Sequence, residues 1–376
     1  MLKRLLAVLT AMLLTLATFA YAAELREDHP STYTVVKGDT LWDISAKFLT
    51  KPWLWPEIWQ ANPQVKNPHL IYPGDVLSLV YINGQPRLTS EPGPQVKYGE
   101  AIDTIPLSEI EVWLKQLTIV QDPKSFPYVV GLEGGHLAIP AAHLAFVRGL
   151  TGAQPGQTVQ IARPVAYYAM GGIKKNGQRS GGMTWLDTQA DRDHIHWGYG
   201  DAPNEARGEK LGYEMKYRAL GEVIQVQGEI TSVLLRASDM EVRVGDRVLP
   251  VEEQPYCNCF TPHAAASIPA GAQILAVDRG LAFAGPRNVV ALSIGSSSGV
   301  DNGTTYSIWH PGEVVSDVVA HSNVMAQNSD KLTMPDRYVG HLMVFRTFEK
   351  VSYALVMDGL RPAQVGDFLK HPDSMQ

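Results

Sequence analysis

The chain has 376 residues, with 32 Lys and Arg against 38 Asp and Glu, a formal net charge of −6 and two cysteines. That acidic balance argues against nucleic acid or an anionic membrane surface as a general partner. The length leaves room for two or three domains with cores of their own, and so few cysteines exclude a disulfide framework as their support.

At the start, Lys3 and Arg4 precede an apolar run from Leu5 to Leu16 broken only by Thr10 and Thr15, and Ala20-Tyr21-Ala22 follows. This order predicts a secretory signal peptide over 1–22, because the apolar run is short for a membrane span and ends in the small residues a signal peptidase reads. No cysteine follows the cleavage point, which argues against a lipoprotein. Without Lys3 and Arg4 the balance is 30 basic to 38 acidic residues, a charge of −8 with His neutral. No later stretch reaches the roughly 18 unbroken apolar residues of a transmembrane segment.

Residues 24–32 read as a polar lead-in. Residues 33–80 are dense in Trp and Pro and hold four of the eight tryptophans: Trp42, Trp53, Trp55 and Trp59. Tyr33 to Val36 reads as a strand, Gly38 as a tight turn and Thr40 as a helix cap completed by Asp43 three residues on. Leu41, Ile44 and Phe48 share the buried face of that helix. A second helix is expected from Pro56 through Asn62, and Ile71-Tyr72-Pro73-Gly74-Asp75 turns into a closing strand ending at Leu79. The order β-α-α-β makes a small α+β domain. Trp53 and Trp55 lie in a Pro/Trp-rich stretch between the helices, where they could face a ligand or build core. Residues 81–105, with Asn83-Gly84-Gln85-Pro86 and Glu91-Pro92-Gly93-Pro94, read as a linker.

Residues 106–253 and 254–376 read as two β-rich subdomains. The first opens with a short helix, 108–117, capped by Ser108 and presenting Ile110, Trp113, Leu114 and Leu117 on one face. Beyond 127, short alternating runs separated by Gly, Asp and Pro predict mainly β structure. An internal repeat is visible in sparse matches: Gly156…Ile161…Pro164 with Gly303…Ile308…Pro311, and Val244-Gly245-Asp246 with Val365-Gly366-Asp367. The first copy carries an insertion, 170–210, rich in glycine and expected as a long loop that either meets a partner or is solvated.

Catalytic signatures are weak. There is no His-Glu-x-x-His motif and no cysteine in a transpeptidase context. Asp191-Arg-Asp193-His194-Ile-His196 reads as a solvated polar loop rather than a metal site. Gly295-Ser-Ser-Ser-Gly299 has the spacing of a nucleophile elbow but lies in a β context. The expectation is a chain with no catalytic residues, no metal and no cofactor. Cys257 and Cys259 can close a small disulfide in an oxidising compartment or stay reduced.

Val35 to Ile44 and Ile71 to Leu77 together resemble the LysM family, and the likeness covers 33–80. What it implies is binding of N-acetylglucosamine-containing glycans, here peptidoglycan strands. In such modules the sugar lies between two loops, carried here by Gly38, Asp39, Thr40 and Leu41 on one side and by Asn67, Pro68, His69, Leu70 and Ile71 on the other. Backbone groups would hold the N-acetyl group, and an apolar side chain would cover its methyl. Beyond this module the chain resembles the TsaP family, the type IV pilus secretin-associated proteins. The resemblance rests on Trp55-Pro-Glu-Ile-Trp-Gln-Ala-Asn62, Asn67-Pro-His-Leu-Ile-Tyr-Pro-Gly-Asp75 and the stretch 340–356. It implies a C-terminal region similar to part of the flagellar protein FlgT, a periplasmic location in a Gram-negative envelope, and the outer-membrane secretin as partner. The alternatives are a LysM-targeted wall hydrolase or an assembly factor for another envelope machine.

Overall fold

Four short segments of the chain share one local device. In Val36-Lys37-Gly38-Asp39 the Asp39 amide donates to Val36 O at 3.1 Å and its carboxylate accepts from Val36 N at 2.8 Å. Tyr72–Asp75 repeats this at 3.0 Å for both bonds. Arg243–Asp246 and Gln364–Asp367 do so again, at 3.2 and 2.7 Å and at 3.1 and 2.9 Å. The third residue is Gly each time, with φ of +96°, +97°, +95° and +92°, the left-handed value a type II turn requires. The computed structural model that shows them describes residues 23–59, 71–82, 84–91, 107–173, 179–185, 209–251, 260–277, 283–316 and 331–374. The expected signal segment 1–22, Asn67, Pro68, His69, Leu70, the Asp191–His196 cluster and both cysteines lie outside the described residues.

The chain divides into two compact units, Met1–Ile105 and Pro106–Gln376. In the first, β1 (Thr32–Thr34) pairs antiparallel with β2 (Val76–Ile82), and α1 (Leu41–Phe48) and α2 (Trp55–Trp59) lie between them in sequence. Thr40 and Asp43 form the expected capping box. Leu41, Ile44, Phe48, Trp55, Ile58, Trp59, Ile71 and Leu77 make one core. Trp53 and Trp55 belong to the buried set, and the Trp42 and Trp53 rings pack at a tilt with centroids 6.4 Å apart, so core packing is their role.

Two segments extend this unit beyond 33–80. The stretch expected as a linker over 81–105 contains β3 (Gln85–Glu91), paired along the whole of β2 and sending Leu88 into the core. Gly84 and Pro86 gave it the look of a linker; here they turn and begin a hairpin strand. The lead-in bonds α1 through Arg26 N to Phe48 O and Thr50 N to Glu24 O, and Ala23 joins the same core.

The second unit begins with α3 (Leu107–Lys115), which starts one residue before Ser108, so Ser108 lies in the first turn rather than at its cap. β4 (Leu117–Val120) follows, then β5 (Tyr128–Leu132), β6 (Ala138–Ile139), β7 (Leu144–Arg148), β8 (Thr158–Ile173) and β9 (Arg179–Trp185). β10 (Glu209–Gln227), β11 (Ile230–Ser238), β12 (Val242–Arg243) and β13 (Arg247–Pro250) complete this part. The pairing β8-β10-β11-β7-β5-β13 returns to β8 and closes a six-stranded barrel, with β4 and β9 as side strands. Its interior is apolar, from Val129, Val147, Ile161, Val233 and Val248 among others.

The chain continues through β14 (His263–Ala264), β15 (Ile274–Val277), β16 (Phe283–Ala284), β17 (Val289–Leu292), β18 (Thr304–His310), β19 (Val314–Ser316) and β20 (Lys331–Thr333). The last strands are β21 (Arg337–Thr347), β22 (Ser352–Gly359), β23 (Ala363–Gln364) and β24 (Phe368–Lys370). Here β18-β21-β22-β17-β15 pair in order, β24 pairs with β18, and a Gln273–Phe368 bridge brings β15 to β24, closing a second barrel around its own core.

Buried polar contacts join the barrels. Glu214 on β10 accepts from Tyr168 on β8 at 2.5 Å and from Tyr353 on β22 at 2.9 Å. Arg346 on β21 donates to the carbonyls of Trp113 and Leu114, open acceptors in the last turn of α3, and to that of Leu117 at the start of β4. The insertion expected as a loop over 170–210 is strand at both ends and in β9. Gly181 of β9 lies against Gln273 and Leu275, so close that a Cβ there would fall 2.2 and 2.5 Å from their side chains. The glycines that suggested a loop permit this approach instead.

Candidate functional site

The first unit brings its two Gly-Asp turns side by side. Val35 N donates to Asp75 O at 2.9 Å and Gly74 N donates back to Val35 O at 2.8 Å. The 36–39 turn starts one residue later. The 36–39 and 72–75 turns therefore lie along one edge; of the loops expected to flank a ligand, 67–70 lies outside the described residues.

The individual residues divide by role. Gly38 is exposed and makes the turn. Asp39 is held by Val36 N and by the Tyr33 hydroxyl, which donates at 2.9 Å. Burial, then the bond to Asp39, pushes the Tyr33 phenol up to about 12. The Asp39 amide goes to Val36 O, and the Thr40 amide to Asp43 Oδ2 at 3.3 Å. Thr40 is the buried cap of α1, and the side chains of Leu41 and Ile71 sit in the core at 2% and 1% exposure. Leu41 and Ile71 thus offer this edge their backbone, not an apolar side chain. The apolar group exposed here is Val36, at 57%. The alternation of buried Val35 and exposed Val36, just past β1, was the available signal for it.

Elsewhere, the Gly295–Gly299 stretch forms a 3-10 turn at Ser296–Ser298 between β17 and β18, bonded to the backbone of Phe348 and Glu349. It is a strand-to-strand turn, without the strand–helix geometry of a nucleophile elbow. Among the described residues no helix is long and apolar enough to cross a membrane.

Comparison with known proteins bears on the segment that carries this edge. Residues 33–80 match the LysM domain model, so this part of the chain is a LysM domain, a peptidoglycan- or carbohydrate-binding module. A Bacillus subtilis (strain 168) protein, described as the uncharacterized protein YqbP, is 40% identical over 60 residues, which is 13% of this chain and 27% of the relative. The chain therefore spans about a quarter of the curated relative it matches. A LysM domain followed by a mostly β region defines the class, and a LysM domain suggests an extracellular or cell-wall location.

Proposed function

We propose that this chain is an exported, non-enzymatic periplasmic anchor that holds peptidoglycan strands through its LysM domain and an envelope complex through its β-rich unit. The observation that carries the reading is the joined pair of Gly-Asp turns within a segment matching the LysM domain. A glycan meeting this edge finds the Gly38 and Gly74 backbone unshielded by side chains, with Val36 beside them for an N-acetyl methyl. The partner favoured by the resemblance of 55–62, 67–75 and 340–356 is the outer-membrane secretin of type IV pili. The β-rich unit suits a mechanical link, because its barrels are tied by buried bonds at Glu214 and Arg346.

The second unit also reads as the internal repeat expected from sequence. Strands β5, β7, β8, β10, β11 and β13 correspond in order to β15, β17, β18, β21, β22 and β24. The β6–β12 and β16–β23 ribbons correspond as well, and so do the unusual positive-φ residues Ala142 and Arg287.

Affinity isolation of the tagged chain from detergent-solubilised envelopes tests the partner. Secretin should co-isolate, be lost when 106–376 is removed, and persist when 23–91 is removed. Isolation of a different envelope machine would select the assembly-factor alternative. Release of soluble wall fragments from purified sacculi would contradict the non-enzymatic role and select a hydrolase.

A further inference from the structure

We infer that this chain associates head to tail, with the β19–β20 arm of one copy docking on the β5 face of the next copy's first barrel. The inference rests on the reading of the second unit as two equivalent barrels.

Each barrel carries an arm at the same place in its strand order. In the first, the arm is the outer part of β8 with β9 and the start of β10, inserted between barrel strands β8 and β10. In the second, it is β19 and β20, inserted between β18 and β21. The first arm has a docking site within the chain. Gly181 rests on Gln273 and Leu275 of the second barrel, and Gln273 Nε2 lies 3.3 Å from Met170 Sδ. Leu275 faces away from its own barrel core, since Ile274 is the residue that points inward. Yet Leu275 is 0% exposed. The arm is what buries it.

The corresponding surface of the first barrel is β5. Val129 bonds Gly245 and Asp246 as Ile274 bonds Gly366 and Asp367. Tyr128 and Val130 then stand where Gln273 and Leu275 stand in the second barrel. Val130 is 42% exposed. The second arm, for its part, exposes Val314, Leu332 and Met334, with Leu332 at 50%. An apolar arm and an apolar strand face, each matching one half of an interface already made inside the chain, are complementary surfaces. Two different patches that complement each other give a heterologous contact, which propagates to a ring or a filament.

Sedimentation velocity of the whole chain across a concentration series reads the outcome. The chain should form oligomers larger than a dimer. Val130→Glu blocks the face and Leu332→Glu blocks the arm, and each should weaken association tenfold or more, since either buries a charge in an apolar contact. A mixture of the two variants should give a one-to-one dimer and nothing larger, because a single intact arm–face pair remains. A monomeric wild-type chain, or variants that associate unchanged or fail to complement, would overturn the proposal. Gly181→Leu separates the causes of failure. If it leaves folding stability unchanged, the internal template is not an interface and the equivalence fails with it. If it destabilises a chain that stays monomeric, only the intermolecular step fails. Sacculus binding by the same variants reports separately on the wall-anchor reading.

Discussion

Arg163 on β8 donates two hydrogen bonds to the Asp246 carboxylate, at 2.6 and 3.0 Å, with both side chains buried. In the second barrel His310, the residue before Pro311 as Arg163 precedes Pro164, meets Asp367 at 2.7 Å. Each aspartate also closes a Gly-Asp turn, so one carboxylate fixes a turn and ties it to a strand.

The two pairs should respond differently to loss of charge. Asp246→Asn takes a carboxylate away from a buried guanidinium and should cost about 3–5 kcal/mol. Histidine, unlike arginine, has a neutral form, and burial pushes the Asp367 carboxyl up, so Asp367→Asn should cost less than half as much. Urea denaturation of the whole chain compares them. Equal losses would contradict the asymmetry.

The Glu214 contact predicts alkaline sensitivity. Burial, and then the neighbouring Glu214, hold the Tyr168 and Tyr353 phenols well above their ordinary value of 10.0. A raised folded value means the fold favours the neutral phenol, so this stability is complete below pH 10 and lost as pH rises beyond it. The thermal midpoint should fall steeply above pH 10. In the Tyr168→Phe, Tyr353→Phe double variant the starting midpoint should be lower and the alkaline slope shallower. An unchanged slope would show that other groups govern it.

Arg346→Leu should free α3 from the second barrel. It removes a cation from two carbonyls in the last turn of α3 and from that of Leu117 at the start of β4, and should cost about 3 kcal/mol. Trp113 meets Tyr353 edge to face, with ring centroids 5.6 Å apart, so tryptophan fluorescence should shift with the loss. Hydrogen exchange confined to 107–117 would locate it, and uniform protection would contradict it.

The limits of the LysM unit give a further test. A fragment of residues 23–91 retains Leu88 and Ala23 in the core, whereas 33–80 loses both along with β3. The shorter fragment should be less stable by at least about 2–5 kcal/mol, the usual cost of losing one large core side chain. Comparable denaturation midpoints would show that β3 is dispensable.

What the sequence revealed follows from where its signals are local. The bonds of the 36–39 turn, the Thr40–Asp43 capping box and the 72–75 turn each span three residues, so the β-α-α-β order, the capping box and both turns could be read directly. The Val-Gly-Asp motifs were legible for the same reason. β3 was not, because among its described residues Leu88 alone joins the core and Gly84 and Pro86 resemble a linker. β9 was hidden because Gly181 serves a contact with Leu275, far along the chain. Within the candidate site, the roles of single residues were not legible: Leu41 and Ile71 are core, while Val36 is exposed.

Co-sedimentation with purified peptidoglycan sacculi tests the central claim most directly, comparing the intact chain with one lacking 23–91. The account predicts that the intact chain pellets with the sacculi and the shortened chain stays in the supernatant. An intact chain that remains soluble, or a shortened chain that still pellets, would contradict wall anchoring through the LysM domain.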